Sequence, residues 1–194
     1  MTFEIRPYRD EDEQGWLRCR VLGFLDSAFH DDVRQEKEHY DCPAVELVAE
    51  ADGLIVGLLD LELEPAPGVL HDTTARGGVI WHVAIHPDYR RRGIATALVE
   101  RAVELAREAG LELVQAWTRD DRWVHAWYEA CGFEQRYSYL HVYMQPDEAR
   151  DEVTLRTEGL RPVLAFAHYT GEARDEIRSR FKRVHDDVLF ERRL

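Results

Sequence analysis

Residues 79–117 constrain this chain more than any other stretch. Residues 79–85 form an apolar run and 86–92 a polar turn. Residues 93–109 then carry Ile94, Leu98 and Leu105, with Ala95, Val99, Ala102 and Ala106, at helical spacing. Gly110 stands where a helix needs a left-handed terminating residue, and residues 111–117 resume an apolar strand. Strand, helix and strand in so short a span make a βαβ unit, which requires two parallel strands and a right-handed crossover.

The remaining elements are arranged around this unit. Residues 3–6 read as a strand, and Asp10 caps a helix to about Phe24, with Trp16, Leu17, Val21 and Leu22 on its apolar side. Residues 31–40 read as a charged helical segment stopped near Cys42-Pro43. Two strands, 45–51 and 54–63, meet at the hairpin signal Asp52-Gly53. Residues 65–78 read as a loop, 121–131 as a helix closed by Gly132, 133–144 as an aromatic-rich strand and 145–159 as a polar loop. The expected fold is α/β, a mixed sheet flanked by helices in a single domain over 1–194. Residues 145–194 are expected to add a last strand at 162–169, buried on both faces, and a C-terminal helix at 172–188. The stripe Ile177, Phe181, Val184, Val188 and Leu189 on that helix must pack on its own sheet or on a second copy, so a homodimer is among the expectations.

Composition narrows the function classes. The chain of 194 residues is 45% hydrophobic, too apolar for disorder, and its mean hydropathy of −0.46 does not suit a membrane protein. No run approaches the roughly 18 apolar residues of a spanning helix, and the N-terminus lacks a signal-peptide pattern. A formal charge of −13 opposes binding to a phosphate backbone, so no nucleic-acid partner is expected. Lysine occurs only at positions 37 and 182. Three scattered cysteines, Cys19, Cys42 and Cys131, read as reduced thiols, and a cytoplasmic location is the expectation.

The turn Arg90-Arg91-Arg92-Gly93-Ile94-Ala95-Thr96 opens the central helix. Free N–H groups and the helix dipole make such a start an anion cradle, and Gly93 and Ala95 leave the backbone uncovered. A second segment, Trp127-Tyr128-Glu129-Ala130-Cys131-Gly132-Phe133, closes the next helix. Together the two segments, with Pro87 ahead of the first, resemble the GNAT superfamily of N-acetyltransferases over roughly residues 3–145. The resemblance implies a mostly antiparallel twisted sheet, acetyl-CoA as co-substrate, and pyrophosphate binding by residues 90–96. It also implies that Val83, Ala84 and Ile85 offer backbone groups to the cofactor and the developing oxyanion. Where many members carry an asparagine against the pantetheine arm, this chain has Asp121.

The implied reaction is direct acetyl transfer to a primary amine, on a small molecule or a protein, in a ternary complex. An alkyl amine with a pKa near 10.4 is only about 0.04% neutral at pH 7, a deficit of roughly 4.6 kcal/mol, so a base is called for. By resemblance Tyr128 is the acid that protonates the departing thiolate. Candidates for the base are His82, re-aimed by a strand bulge, with Asp60, Glu62 or a water chain as alternatives. A non-catalytic acyl-CoA-binding module is the other reading; it would keep 90–96 but need no Tyr128. His82 and His86 lie too far apart along a strand to share a metal, so no metal is expected. Trp117, Trp123, Trp127 and Cys131 read as packing residues.

Overall fold

The computed structural model describes residues 2–71 and 73–194. Met1, and Asp72 within the loop read at 65–78, lie outside the described residues. The first half holds β1 (Glu4–Pro7), α1 (Glu13–Phe24), β2 (Ala44–Ala51), β3 (Leu54–Leu63), β4 (Gly77–Ile85) and α2 (Ile94–Glu108). There follow β5 (Leu113–Thr118), α3 (Arg122–Ala130), β6 (Glu134–Met144), α4 (Pro146–Glu152), β7 (Ala165–Tyr169), α5 (Arg174–Arg180) and β8 (Arg183–Arg193). The strands form one sheet in the order β1-β2-β3-β4-β5-β8-β6-β7. Among the described residues only β4 and β5 are parallel, joined through α2 as the βαβ reading requires, and every other pairing is antiparallel.

Alternation along the strands divides the core between two faces. Leu59, Leu61 and Ile80 point to the back, where Leu98, Val99, Ala102 and Val103 of α2 cover them. Leu58, Val48 and Ala84 point to the front, against Trp16 and Cys19 of α1. Each fully buried leucine contributes roughly 2 kcal/mol through its area removed from water. Leu140, Val142, Met144, Ala149 and Phe181 form a separate apolar layer where α4 and β6 meet the last turn before β8.

The tail departs from the expectation. The last strand is not 162–169 but β8, slotted between β5 and β6. The expected helix at 172–188 is the short α5, which ends at Arg180. Residues 184, 188 and 189, counted above as a helical stripe, belong to β8. On that strand Val188 and Phe190 enter the back core, while Asp187 and Glu191 are also buried but polar. Residues 165–169 form the edge strand, with alternate side chains exposed, because only β6 lies beside them.

Residues 31–40 form no helix. Their side chains reach apart instead: Asp31 to Arg183, Asp32 to Arg20, and Lys37 and Tyr40 to Asp60. The polar stretch after β6 contains α4, started by Pro146 in its first turn and by Gln145 N–H donating to Glu148 Oε2 at 2.7 Å.

Candidate active site

The parallel seam between β4 and β5 is short. It is registered from Gly77–Leu113 to Ile80–Ala116 and then opens. Beyond Ile80, β4 pairs only with β3, while Trp117 and Thr118 of β5 pair with Leu189 and Val188 of β8. A bulge marks the parting point: Asp60 faces His82 and Leu61 faces Ile80, which leaves Trp81 as the extra residue. The backbone of residues 82–85 thus has a free edge on the opening side.

A cavity of about 1050 Å³ occupies the gap, large enough for a nucleotide-sized ligand. Residues 82–85, residues 90–96, Asp121 and Tyr128 all line it, whereas Asp60 and Glu62, the alternative bases, do not. The cradle is shaped by two left-handed residues, Arg91 at φ 59° and Gly93 at φ 79°. Alternation of left- and right-handed residues turns successive N–H groups inward, an arrangement suited to oxyanions. Only glycine adopts the Gly93 conformation cheaply, and a Cβ there would point into open space, as a cradle for a large ligand requires. The first intrahelical bond of α2 runs from Ala97 N–H to the Gly93 carbonyl at 3.0 Å, so the helix itself leaves the N–H groups of Ile94, Ala95 and Thr96 for a ligand.

The three arginines of the turn are not equivalent. Arg90 is drawn to the end of α1, donating to Asp26 at 3.1 Å and to the Gly23 carbonyl at 2.9 Å. Arg92 donates to the Asp88 carbonyl at 2.9 Å and lies over the Tyr89 ring. Arg91 is exposed at the cavity rim. Thr96 accepts from Trp127 Nε1 at 3.2 Å and so fastens α2 to α3.

Tyr128 is 3% exposed, its ring stacked on Phe190 of β8 and flanked by Trp127 and Phe133. Burial raises its phenol well above the ordinary value, which keeps the proton on the oxygen. Asp121 begins α3, and its carboxylate accepts from Ala28 N–H at 2.9 Å. Its side chain therefore holds the segment after α1 against the cavity.

His82 is re-aimed by the bulge to the front face, edge-on to Trp16. Both ring nitrogens are engaged. Arg20 Nε donates to Nδ1 at 3.4 Å, which assigns the proton to Nε2, 2.6 Å from Glu38 Oε2. The same hydrogen bond holds the Glu38 carboxyl below its usual range. Arg20, fully buried, also donates to the Asp32 carbonyl and carboxylate at 2.7 and 2.8 Å. Asp60, opposite His82, is fully buried, and burial raises its carboxyl above the ordinary range against the opposing pull of Lys37. Glu62 accepts from Trp81 Nε1 and Cys42 N–H.

Sequence reasoning missed the polar groups gathered on His82 and its neighbour Asp60: Arg20 and Glu38 on the first, Lys37 and Tyr40 on the second. Its one signal was Lys37, a lone lysine in an arginine-rich half of the chain. Of the tryptophans, Trp117 and Trp127 pack against Tyr139 and Tyr128, while Trp123 is 60% exposed at the cavity rim. Cys131 is buried beside Thr96, and burial raises its thiol. Among the described residues no helix is long and apolar enough to cross a membrane.

Known proteins share this fold. An acetyltransferase of Sodalis glossinidius is 30% identical over 142 residues, 71% of this chain and 91% of the relative. The acetyltransferase of the GNAT family from Streptococcus pneumoniae shares the fold, with a TM-score of 0.65 at 15% identity, covering 100% of this chain and 99% of the other. The PaiA N-acetyltransferase of Thermoplasma acidophilum, solved in complex with coenzyme A, superimposes with a TM-score of 0.58 at 12% identity over 100% of both chains. The family model of GNAT acetyltransferases matches residues 8–133, which hold the opened seam, the cradle and Tyr128. The chain belongs to the acetyltransferase (GNAT) family, and acetyl-CoA is its co-substrate.

Proposed function

We propose that this protein is an N-acetyltransferase that passes the acetyl group of acetyl-CoA to a primary amine by direct attack. The observation that carries the reading is the convergence of the cradle, the free edge of β4 and a buried, protonated Tyr128 on one cavity. Acetyl-CoA supplies the activated thioester. Residues 91–96 offer N–H groups and the Arg91 charge to its pyrophosphate, while N–H groups along residues 83–85 stand where an oxyanion would develop.

Tyr128 keeps its proton at rest and delivers it to the sulfur as the thiolate leaves. On the other side of the bond, the amine must lose a proton. His82 serves here: when an incoming amine or water displaces the long Arg20 contact, Nδ1 presents its lone pair. Glu38 on Nε2 then steadies the imidazolium, as an orienting carboxylate does for a general base. The test is thiol release from acetyl-CoA across a panel of primary amines. Amine-dependent release with a matching acetylated product supports the reading; binding of acetyl-CoA with no release on any amine overturns it.

A further inference from the structure

Lys37 lies in the segment between α1 and β2, yet its ammonium is buried deep in the front face, with the side chain 3% exposed. Three aromatic rings surround Nζ: Tyr8 at 4.9 Å, Tyr40 at 5.1 Å and Trp16 at 5.3 Å to their centroids. Two carboxylates complete the enclosure, Asp60 with Oδ2 at 3.1 Å and Glu46 in direct contact. Rings presenting their faces and carboxylates at hydrogen-bond distance are the chemistry that selects a compact ammonium.

Three observations separate this box from an ordinary structural ion pair. First, where arginine meets a carboxylate inside this chain, as at Arg6–Asp12 and Arg20–Asp32, its planar fork fits two oxygens. Here a primary alkyl ammonium fills the place instead. Second, Asp60 is fully buried and its other oxygen, Oδ1, has no hydrogen-bond partner among the described residues. One lysine thus leaves the box with unused acceptor capacity, which is costly in the interior. Third, Asp60 is the cross-strand partner of His82, which lines the cavity, so His82 stands between the box and the cavity, and Glu46, 34% exposed, opens the box toward solvent.

We propose that this box is the site for an alkyl-ammonium group of the acceptor, occupied in the free chain by Lys37, which swings out when an amine enters. The proposal rests on the reading of the protein as an amine acetyltransferase and names the feature of the amine that is recognised. An internal occupant competes with its ligand, so removing it strengthens binding by the inverse of the fraction of time the site stands open, about tenfold for a site held nine-tenths of the time.

The test uses n-butylamine, which reproduces the end of a lysine side chain, and 1-butanol as its uncharged counterpart. With only two lysines, isotope-labelled lysine gives two sets of side-chain signals, and Lys182, paired with Asp147 on the surface, is the control. In the full chain saturated with CoA, n-butylammonium is expected to move the ring-shifted Lys37 signals toward solvent values, leaving Lys182 unmoved; 1-butanol should do neither. Lys37→Met is expected to lower the Kd of n-butylammonium about tenfold with KM for acetyl-CoA unchanged. Asp60→Asn in that background should reverse the gain. Static Lys37 signals overturn the proposal even if Lys37→Met fails to fold, as does a Lys37→Met protein that loses stability with no change in the Kd of n-butylammonium. Absence of transfer to every amine would instead sink the acetyltransferase reading, while the signal titration would still decide the box.

Discussion

The two seams that flank β5 are opposites. On one side β5 meets β4 in parallel over four residue pairs and then leaves it, opening the cavity. On the other it meets β8 antiparallel along its whole length, and β8 in turn is zipped to β6 over nine pairs. A sheet tolerates an opening only if its neighbouring seams hold, because the strands at a gap forgo ladder hydrogen bonds. The closed seam provides that support, and through Phe190 it also provides the surface on which Tyr128 stacks.

The contrast is broken most completely by removing the closed seam. Deleting residues 183–194 takes out a central strand and leaves β5 and β6 with bare edges. The expected outcome is an insoluble chain or one without a cooperative melting transition; a soluble truncation that melts cooperatively and still binds acetyl-CoA would show that the opening needs no such support. Gly93→Glu attacks the open seam alone. It puts an anion, and a left-handed non-glycine residue, into the cradle. The rise in Tm that acetyl-CoA gives the parent should vanish while the fold persists, and an undiminished rise would remove residues 90–96 from the cofactor site.

Tyr128→Phe keeps the ring on Phe190 and removes only the hydroxyl, so it tests chemistry with both seams intact. We expect kcat to fall about 10- to 1000-fold with acetyl-CoA affinity unchanged, and full activity would assign the proton to another donor. The smallest effect concerns the tie between the front segment and β8. Arg183 hydrogen-bonds Asp31 and holds its carboxyl at about 2 against an ordinary 3.8. A carboxyl depressed by folding stabilises above its unfolded value, and that contribution is lost as pH falls through the folded one. The Tm difference between the parent and Asp31→Asn should therefore be constant above about pH 5 and close as pH drops from 4 toward 2. A difference that stays flat across this range would mean the pair contributes nothing to folding.

Legibility divides along the same line. The opened seam was readable because glycines at 93, 110 and 132 punctuate it and its strands and helix carry clean apolar periods. The closed seam was not, because β8 carries half-buried His185 and buried Asp187 and Glu191 on the front among aromatic and charged partners. With polar residues on an inward face, alternation disappears, and Val184, Val188 and Leu189 fell into an accidental helical register. The front of the site was hidden for a related reason. A segment such as 31–40 has no period of its own when its conformation is set by long-range ties to Arg20, Asp60 and Arg183. A charged run then looks like a solvated helix. What remained visible was the unusual lysine.

The position of β8 also has a consequence for how the molecule assembles itself. Its partners on β5 lie about seventy residues earlier in the chain, so the pairing that completes the sheet is among the most distant in sequence. Contacts of that kind form slowly, since a long loop must be closed before they repay its entropy. Until β8 arrives, β5 presents an unpaired apolar edge to any neighbouring chain. The surplus of 13 negative charges then bears on folding apart from any ligand: copies of so acidic a chain repel one another, which opposes the pairing of one copy's bare edge with another's.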